Sequence, residues 1–93
     1  MKSKEIVAVS VGDSVPTAFV LVNTEPANEE TVLKAVSQIE GVVEAYILYG
    51  VYDILIKVET ESMEKLKETV IWQIRRIKGV VSTLTLIVAE GKP

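Results

Sequence analysis

The segments Ile39-Glu40-Gly41-Val42-Val43 and Ile77-Lys78-Gly79-Val80-Val81 decide the fold, because they are two copies of one pattern. Each copy lies between a helix-like stretch and a strand-like stretch. A glycine at a helix end indicates a residue in the left-handed conformation, which any side chain makes costly. Two valines then begin a strand in each unit, so the chain repeats one structural unit.

A further strand precedes each unit, from Thr17 to Asn23 before the first helix and from Tyr52 to Glu59 before the second. The order strand, helix, strand therefore occurs twice. This order predicts an α+β fold of the ferredoxin-like βαββαβ type. We expect an antiparallel four-stranded sheet with two helices on one face.

Capping residues and apolar periodicity locate the two helices. Asn28 and Ser62 are good N-caps, and Glu29 and Glu30 suit the positive end of the first helix dipole. Apolar residues recur at helical spacing in both segments. In the first helix they are Val32, Ala35, Val36 and Ile39, and in the second they are Met63, Leu66, Val70, Ile74 and Ile77. Both stripes are expected to face the sheet.

Alternation along the strands predicts which side chains share a face. One set is expected to lie under the helices: Ile54, Ile56 and Val58 with Leu84, Leu86 and Val88. The other set is expected on the opposite face: Asp53, Leu55 and Lys57 with Thr83, Thr85 and Ile87. Phe19, Leu48, Leu55 and Ile87 make that second face too apolar for water. Two such sheets packed face to face would cover it, which predicts a dimeric α/β sandwich.

Composition excludes several classes of function. The chain has 93 residues and 48% hydrophobic content, which is high for a small core and favours association. A net charge of −3 argues against direct nucleic-acid binding. Without His or Cys, the commonest metal ligands and proton carriers are missing, so we expect no cofactor. No apolar run is long enough to cross a membrane, so we expect a cytoplasmic protein.

Trp72 does not belong to the apolar stripe of the second helix. It falls on the face shared by Lys65, Glu68 and Arg76, which is otherwise polar. Tryptophan is enriched in interface hot spots, so Trp72 is an interface candidate. The alternative is a ring that lies flat under lysine and arginine stems.

The connection from Leu48 to Asp53 contains the candidate ligand-binding residues. Gly50 permits a turn that aims backbone N–H groups at an anion, and Asp53 places a carboxylate beside it. Threonines two residues apart on the last strand add hydroxyls on one side. Backbone N–H groups, a carboxylate and hydroxyls are together what a small zwitterion needs for binding. A purely structural hairpin with a capping aspartate would show the same residues. The candidate residues are Gly50, Tyr52, Asp53, Thr83 and Thr85.

At these residues a family resemblance becomes specific. Gly50-Val51-Tyr52-Asp53-Ile54 and Gly79-Val80-Val81-Ser82-Thr83-Leu84-Thr85 resemble the effector (RAM) domain of the Lrp/AsnC transcription regulators. The resemblance implies a dimer with its sheets face to face and a higher even oligomer built from such dimers. It also implies a small amino-acid ligand between dimers, beside the loop from Gly50 to Asp53 and the threonine-bearing strand.

The chain departs from those regulators at its N-terminus. The resemblance covers about residues 16–90, with residues 1–15 as an extension and residues 91–93 as a tail. Regulators of the family carry a helix-turn-helix ahead of this domain. We therefore expect a stand-alone effector module that binds no DNA directly and that can assemble with a full-length regulator of the same family. Within the extension, Glu5 to Gly12 alternates like a strand that pairs with a neighbour, or else forms a frayed arm.

Other classes share this topology. A small dimeric α/β-barrel enzyme would need a nucleophile and a base, and the sequence shows no such pair. An ACT-type amino-acid module usually carries a glycine after its first strand, where this chain reads Asn23-Thr24-Glu25-Pro26-Ala27. An RNA-binding fold would show stacking aromatics and net basic charge. We expect a protein that is not an enzyme. The alternatives are a purely structural oligomer or a small dimeric α/β-barrel enzyme.

Overall fold

The computed structural model of the chain describes residues 15–90, apart from the side chain of Thr69. The predicted strand from Glu5 to Gly12 lies outside the described residues. The strands are β1 (Thr17–Thr24), β2 (Val42–Ile47), β3 (Ile54–Glu59) and β4 (Val80–Ile87). Helix α1 spans Glu29–Ser37, and α2 runs through three consecutive segments: Met63–Lys65, Leu66–Ile71 and Trp72–Arg75. The predicted order of elements is confirmed.

The strands form a four-stranded antiparallel sheet in the order β2-β3-β1-β4. Both helices lie on one face of this sheet. The predicted ferredoxin-like α+β architecture is therefore confirmed. The two central strands, β1 and β3, place fully buried side chains under the helices: Ala18, Val20 and Val22 with Ile54, Ile56 and Val58.

The pairing register places the side chains of β4 opposite to the expectation from sequence. Val20 and Val22, both buried under the helices, pair with Thr85 and Thr83. Residues that face each other across an antiparallel pair share a face, so the threonines lie on the helix side. Leu84 pairs with Leu21 and lies on the open side. The prediction for Leu84, Leu86 and Val88 was wrong, and so was the one for Thr83, Thr85 and Ile87.

The position of β4 in the sheet explains why its threonines lie on the helix side. Strand β4 is at the edge of the sheet, where the helices cover less of the surface than they do over β1 and β3. Half-buried threonines are tolerated at that edge because their hydroxyls can still reach water. The alternating leucines then add to the apolar content of the open side.

Helix α2 begins as expected at Ser62, whose Oγ accepts a hydrogen bond from the Lys65 backbone N–H at 3.1 Å. Its central segment, Leu66–Ile71, is a π-helix, which has wider turns than an α-helix. The wide turns bring Ile71 into the core beside Val70. Met63 is 40% exposed, so its predicted place in the core stripe was wrong.

The two repeat glycines allow each unit to pack under the helix of the other. A Cβ on Gly41 would lie 2.9 Å from Val70 Cγ2, and a Cβ on Gly79 would lie 3.0 Å from Val32 Cγ2. The φ angles are +106° and +100°, which disfavour any side chain. Val32 and Val70 hold equivalent positions in the repeat, so one contact occurs twice.

Candidate functional site

The loop between β2 and β3 forms a hairpin with a braced base and an exposed tip. The Leu48 backbone N–H donates to the Asp53 carbonyl at 2.8 Å, and the Asp53 N–H donates to the Val22 carbonyl at 2.9 Å. Beyond this base, the Tyr49 side chain is fully exposed and Val51 is 85% exposed. Gly50 between them has φ +145°. We call residues 49–51 the hairpin tip.

The Asp53 carboxylate is held by the end of β1. Its Oδ2 accepts the Thr24 backbone N–H at 2.8 Å and the Thr24 hydroxyl at 3.3 Å. Asp53 is part-buried there, so these bonds order the carboxylate and connect the hairpin to the sheet. Among the described residues, no donor contacts the other oxygen, Oδ1. Sequence reasoning missed Thr24, because the contact joins residues that are 29 positions apart.

Thr83 and Asp53 lie on opposite sides of β1. Asp53 bonds the Val22 carbonyl from the β3 side, whereas Thr83 pairs with Val22 from the β4 side. Thr85 lies two residues further along the edge strand, and Tyr52 is half-buried at the hairpin base. The fold therefore groups Gly50, Tyr52 and Asp53 on one flank of β1 and the two threonines on the other.

A second polar pair borders the same end of the sheet on its open side. The Asn23 amide Nδ2 donates to the Ser82 hydroxyl at 3.4 Å. Neither residue was singled out from the sequence, since their proximity depends on the pairing of β1 with β4. Together with Asp53, they give this end of the sheet amide, hydroxyl and carboxylate groups.

The side of the sheet opposite the helices is apolar, and the described residues of the chain leave it uncovered. We call it the open sheet face, and it consists of Phe19, Leu21, Tyr46, Leu55, Leu84 and Leu86. Leu84 is 43% exposed and Leu86 is 49% exposed. Contiguous apolar patches on one face of a domain mark contact surfaces.

One corner of the open sheet face carries a polar network. The Lys57 ammonium lies 3.7 Å from Glu44 and 3.6 Å from Glu59. The Tyr46 hydroxyl donates to Glu44 Oε1 at 2.7 Å. This hydrogen bond, with the negative charge of Glu44, raises the pKa of the Tyr46 phenol above its usual value.

Trp72 is 51% exposed on α2. The Arg76 guanidinium lies over its ring, 5.8 Å from the centroid, which is within cation–π range. The arrangement agrees with the alternative of a ring under an arginine stem, yet half of the side chain still contacts solvent. Trp72 therefore stays an interface candidate.

A shallow groove of about 330 Å³, widely open to solvent, lies between the C-terminal ends of the two helices. Its lining is Ala35, Ile39, Gln73, Arg76 and Ile77. Ala35 and Gln73 are equivalent in the repeat, as are Ile39 and Ile77, so the groove lies where the two units meet. We call it the interhelical groove.

The described residues contain no group of three or more metal-ligating side chains. Within the same part of the chain, every helix is too short or too polar to cross a membrane.

The family model of the Lrp/AsnC ligand binding domain matches residues 17–91. The chain belongs to the Lrp/AsnC family. It is 38% identical over 74 residues to the uncharacterized HTH-type transcriptional regulator PF0250 of Pyrococcus furiosus, covering 76% of this chain and 49% of that protein. The chain thus spans about half the length of the regulator relatives that it matches.

Two further comparisons show similarity to proteins other than that regulator. The crystal structure of TTHA0845 from Thermus thermophilus superposes with a TM-score of 0.77 at 29% identity, covering 84% of this chain and 98% of that one. Homocitrate synthase of Sulfolobus acidocaldarius is 43% identical over 60 residues, covering 64% of this chain and 13% of that protein. This chain is therefore similar to a small part of an enzyme as well as to about half of a regulator.

Proposed function

We propose that this Lrp/AsnC domain is an effector module that binds a small amino acid and couples binding to assembly. The observation that carries the proposal is the match of residues 17–91 to the ligand-binding domain of the family. The module would act through its oligomeric state or its partner, because its net charge of −3 gives no footprint for direct DNA binding.

The proposed site lies at the end of the sheet beside the hairpin base and is completed by a neighbouring copy. Asp53 Oδ1 would accept hydrogen bonds from the ligand ammonium, while Thr24 keeps Oδ2 in place. Backbone N–H groups around Gly50 would bind the ligand carboxylate, and Tyr52 would border it. Thr83 and Thr85 lie on the edge strand, half-buried, where a second copy could bring their hydroxyls to a ligand.

The open sheet face supports the proposed dimer. Six apolar side chains on this face are left partly or largely in water by the described part of the chain. Sheets packed face to face form a core about 10 Å thick, in which such side chains interdigitate. Dimers of this kind would then join into the higher even oligomer that places two hairpins near each other.

The test is a thermal-shift screen of the purified chain against the twenty amino acids, with assembly mass measured in parallel. We expect at least one amino acid to raise the melting temperature and to change the mass distribution. If no amino acid shifts the melting temperature while the oligomer persists, a purely structural oligomer is the correct account.

Asp53 variants separate ligand binding from bracing of the hairpin. Asp53→Asn keeps an oxygen for the Thr24 N–H but removes the charge. Loss of a charge-assisted hydrogen bond of about 1.5–3 kcal/mol would weaken ligand affinity roughly ten- to hundredfold. Asp53→Ala is the matched control, since it also removes the brace and should lower stability without ligand. An Asp53→Asn chain with undiminished affinity would exclude Asp53 from the site.

A second candidate function has the module act on an enzyme instead of a transcription regulator. The resemblance to a part of homocitrate synthase favours a module that reports amino-acid level to an enzyme. Pull-down with the tagged chain, with and without the amino acid found in the screen, distinguishes the two. Recovery of a family regulator supports the first candidate, and recovery of a biosynthetic enzyme supports the second.

A further inference from the structure

The two edge strands of the sheet differ in how they are protected. Strand β2 has six residues, carries the charge of Glu44 and departs from regular register at Val43. Strand β4 has eight residues and contains no charged residue, proline or glycine. Its irregularity at Val81 lies at its beginning, so residues 82–87 pair with β1 in unbroken register. Native proteins protect exposed edges with charges, bulges or short strands, because a bare edge pairs with other strands. Most of β4 has none of these protections.

The backbone of β4 directs hydrogen-bonding groups away from the sheet. The Val88 N–H donates to the Thr17 carbonyl at 2.9 Å. Bonded and non-bonded pairs alternate along an antiparallel ladder, so Leu84 and Leu86 also bond β1, and the residues between them face outward. The outward residues are Thr83, Thr85 and Ile87. We call their free N–H and C=O groups the outer edge of β4, with which nothing in residues 15–90 pairs as a strand.

We propose that residues 5–12 of the same chain pair with the outer edge of β4 as a fifth strand. These residues read Glu-Ile-Val-Ala-Val-Ser-Val-Gly, so they match β4 in length. Four of the eight are β-branched, which favours an extended strand. Pairing would supply partners to the outward N–H and C=O groups and close the unprotected edge to other chains. The inference does not depend on a ligand.

The connection to β1 is long enough for this pairing. Strand β1 begins beside the end of β4, because Ala18 pairs with Ile87. A strand on the outer edge of β4 lies two strand spacings from β1, about 9.6 Å. Residues 13–16 span up to roughly 13–14 Å when extended, so they can pass the end of β4. Since residues 5–12 lead into the start of β1, they would run antiparallel to β1 and parallel to β4.

Distance also favours this edge and this occupant over the alternatives. The outer side of β2 is three strand spacings from β1, about 14 Å, which uses the full reach of the connection. That edge also carries Glu44, which β4 has no counterpart for. A short tether keeps a segment at an effective concentration of the order of millimolar beside its site. A strand from a separate chain has no such advantage.

The test is hydrogen–deuterium exchange, read by mass spectrometry with fragmentation that resolves single amides. In the full chain, the amides of Thr83, Thr85 and Ile87 should be protected. In a variant that lacks residues 1–12 they should lose this protection. The amides of Leu84 and Leu86 bond β1, so they are the internal control and should stay protected in both. If the outward amides exchange alike in the two proteins, the inference is wrong.

Proline variants repeat the test without removing any residue. Alternate residues of a strand direct their N–H groups to the same side, so either Ala8→Pro or Val9→Pro removes a donor to β4 in any register. At least one of them should expose the outward amides as the truncation does. Ser3→Pro is the matched control, because it lies outside the pairing segment, and should exchange like the full chain. Full protection in both strand variants would contradict the pairing.

A mixing experiment distinguishes the chain's own segment from that of a second copy. Isotope-labelled truncated chain is refolded together with an excess of unlabelled full chain. The outward amides of the labelled chain should stay unprotected, because it has no residues 5–12 of its own. If they become protected, a second copy supplies the strand and the proposal is wrong.

Discussion

Val20 and Leu21 are neighbours on β1, yet Val20 is fully buried under the helices and Leu21 is still partly exposed on the open sheet face. The same contrast holds on β3 between Ile56 and Leu55. Both faces of the sheet are apolar, but the helices cover one, and residues 15–90 leave the other partly exposed. A single small domain therefore contains two apolar surfaces, one that drives folding and one that is suited to association.

Truncating a side chain on the covered face should have the largest effect. Ile56 is fully buried at the centre of the sheet, so Ile56→Ala removes packing atoms and leaves a cavity. We expect a loss of about 2–5 kcal/mol in the free energy of unfolding, measured by urea denaturation. Leu55→Ala at the adjacent position is the control. At a protein concentration low enough to limit association, it should lower the free energy of unfolding much less. Equal losses would contradict the contrast between the faces.

A substitution at Gly79, which packs against α1, should have the next largest effect on the free energy of unfolding. Gly79→Ala places a side chain at φ +100° and 3.0 Å from Val32 Cγ2. We expect a loss of about 1–2 kcal/mol or more, because a left-handed backbone alone costs that amount for other residues. Combining it with Val32→Ala should give less than the sum of the single effects. If the two losses in the free energy of unfolding add, the strain of the Gly79 substitution is in the backbone alone and not in the contact with Val32.

A charge on the open sheet face should affect assembly more than folding. Leu86→Asp changes an exposed residue, so the folded monomer should lose no more than about 0.5 kcal/mol. The dimer should dissociate, because the carboxylate would be buried without a partner. Ile87→Asp is the matched control: Ile87 is 39% exposed on the same strand but lies on the helix side. If both variants stay dimeric, the open sheet face is not the dimer interface.

The smallest effect concerns the titration of Tyr46 at the corner of the open sheet face. Its hydrogen bond to Glu44 raises the pKa of the phenol. Glu44→Gln removes the negative charge, so the pKa should fall toward the usual value for tyrosine. Ultraviolet absorbance as a function of pH measures this, with Tyr46→Phe identifying the signal. An unchanged pKa would mean that Glu44 does not contact the phenol in solution.

Much of the fold could be predicted from local sequence. The repeated Ile-x-Gly-Val-Val segments, the cap at Ser62 and the alternation on β3 each report an interaction within a few residues along the chain. The candidate loop was also visible, because Gly50 and Asp53 are turn residues between two apolar strands. For the same reason, the family resemblance could be recognised from two short segments.

Non-local contacts could not be predicted in this way. Strand β4 alternates threonine and leucine, so the usual rule placed Leu84 and Leu86 under the helices, whereas its register with β1 placed Thr83 and Thr85 there. The bond between Asp53 and Thr24, the Asn23–Ser82 pair and the interhelical groove likewise join residues distant in sequence.

The order and type of the elements follow from the sequence alone, since these depend on backbone preferences and on the period of the apolar residues. Which face of β4 is covered, and which polar groups meet beside the hairpin, depends on the complete fold. Register and helix placement minimise the free energy of the whole domain, so no short segment of the chain specifies them.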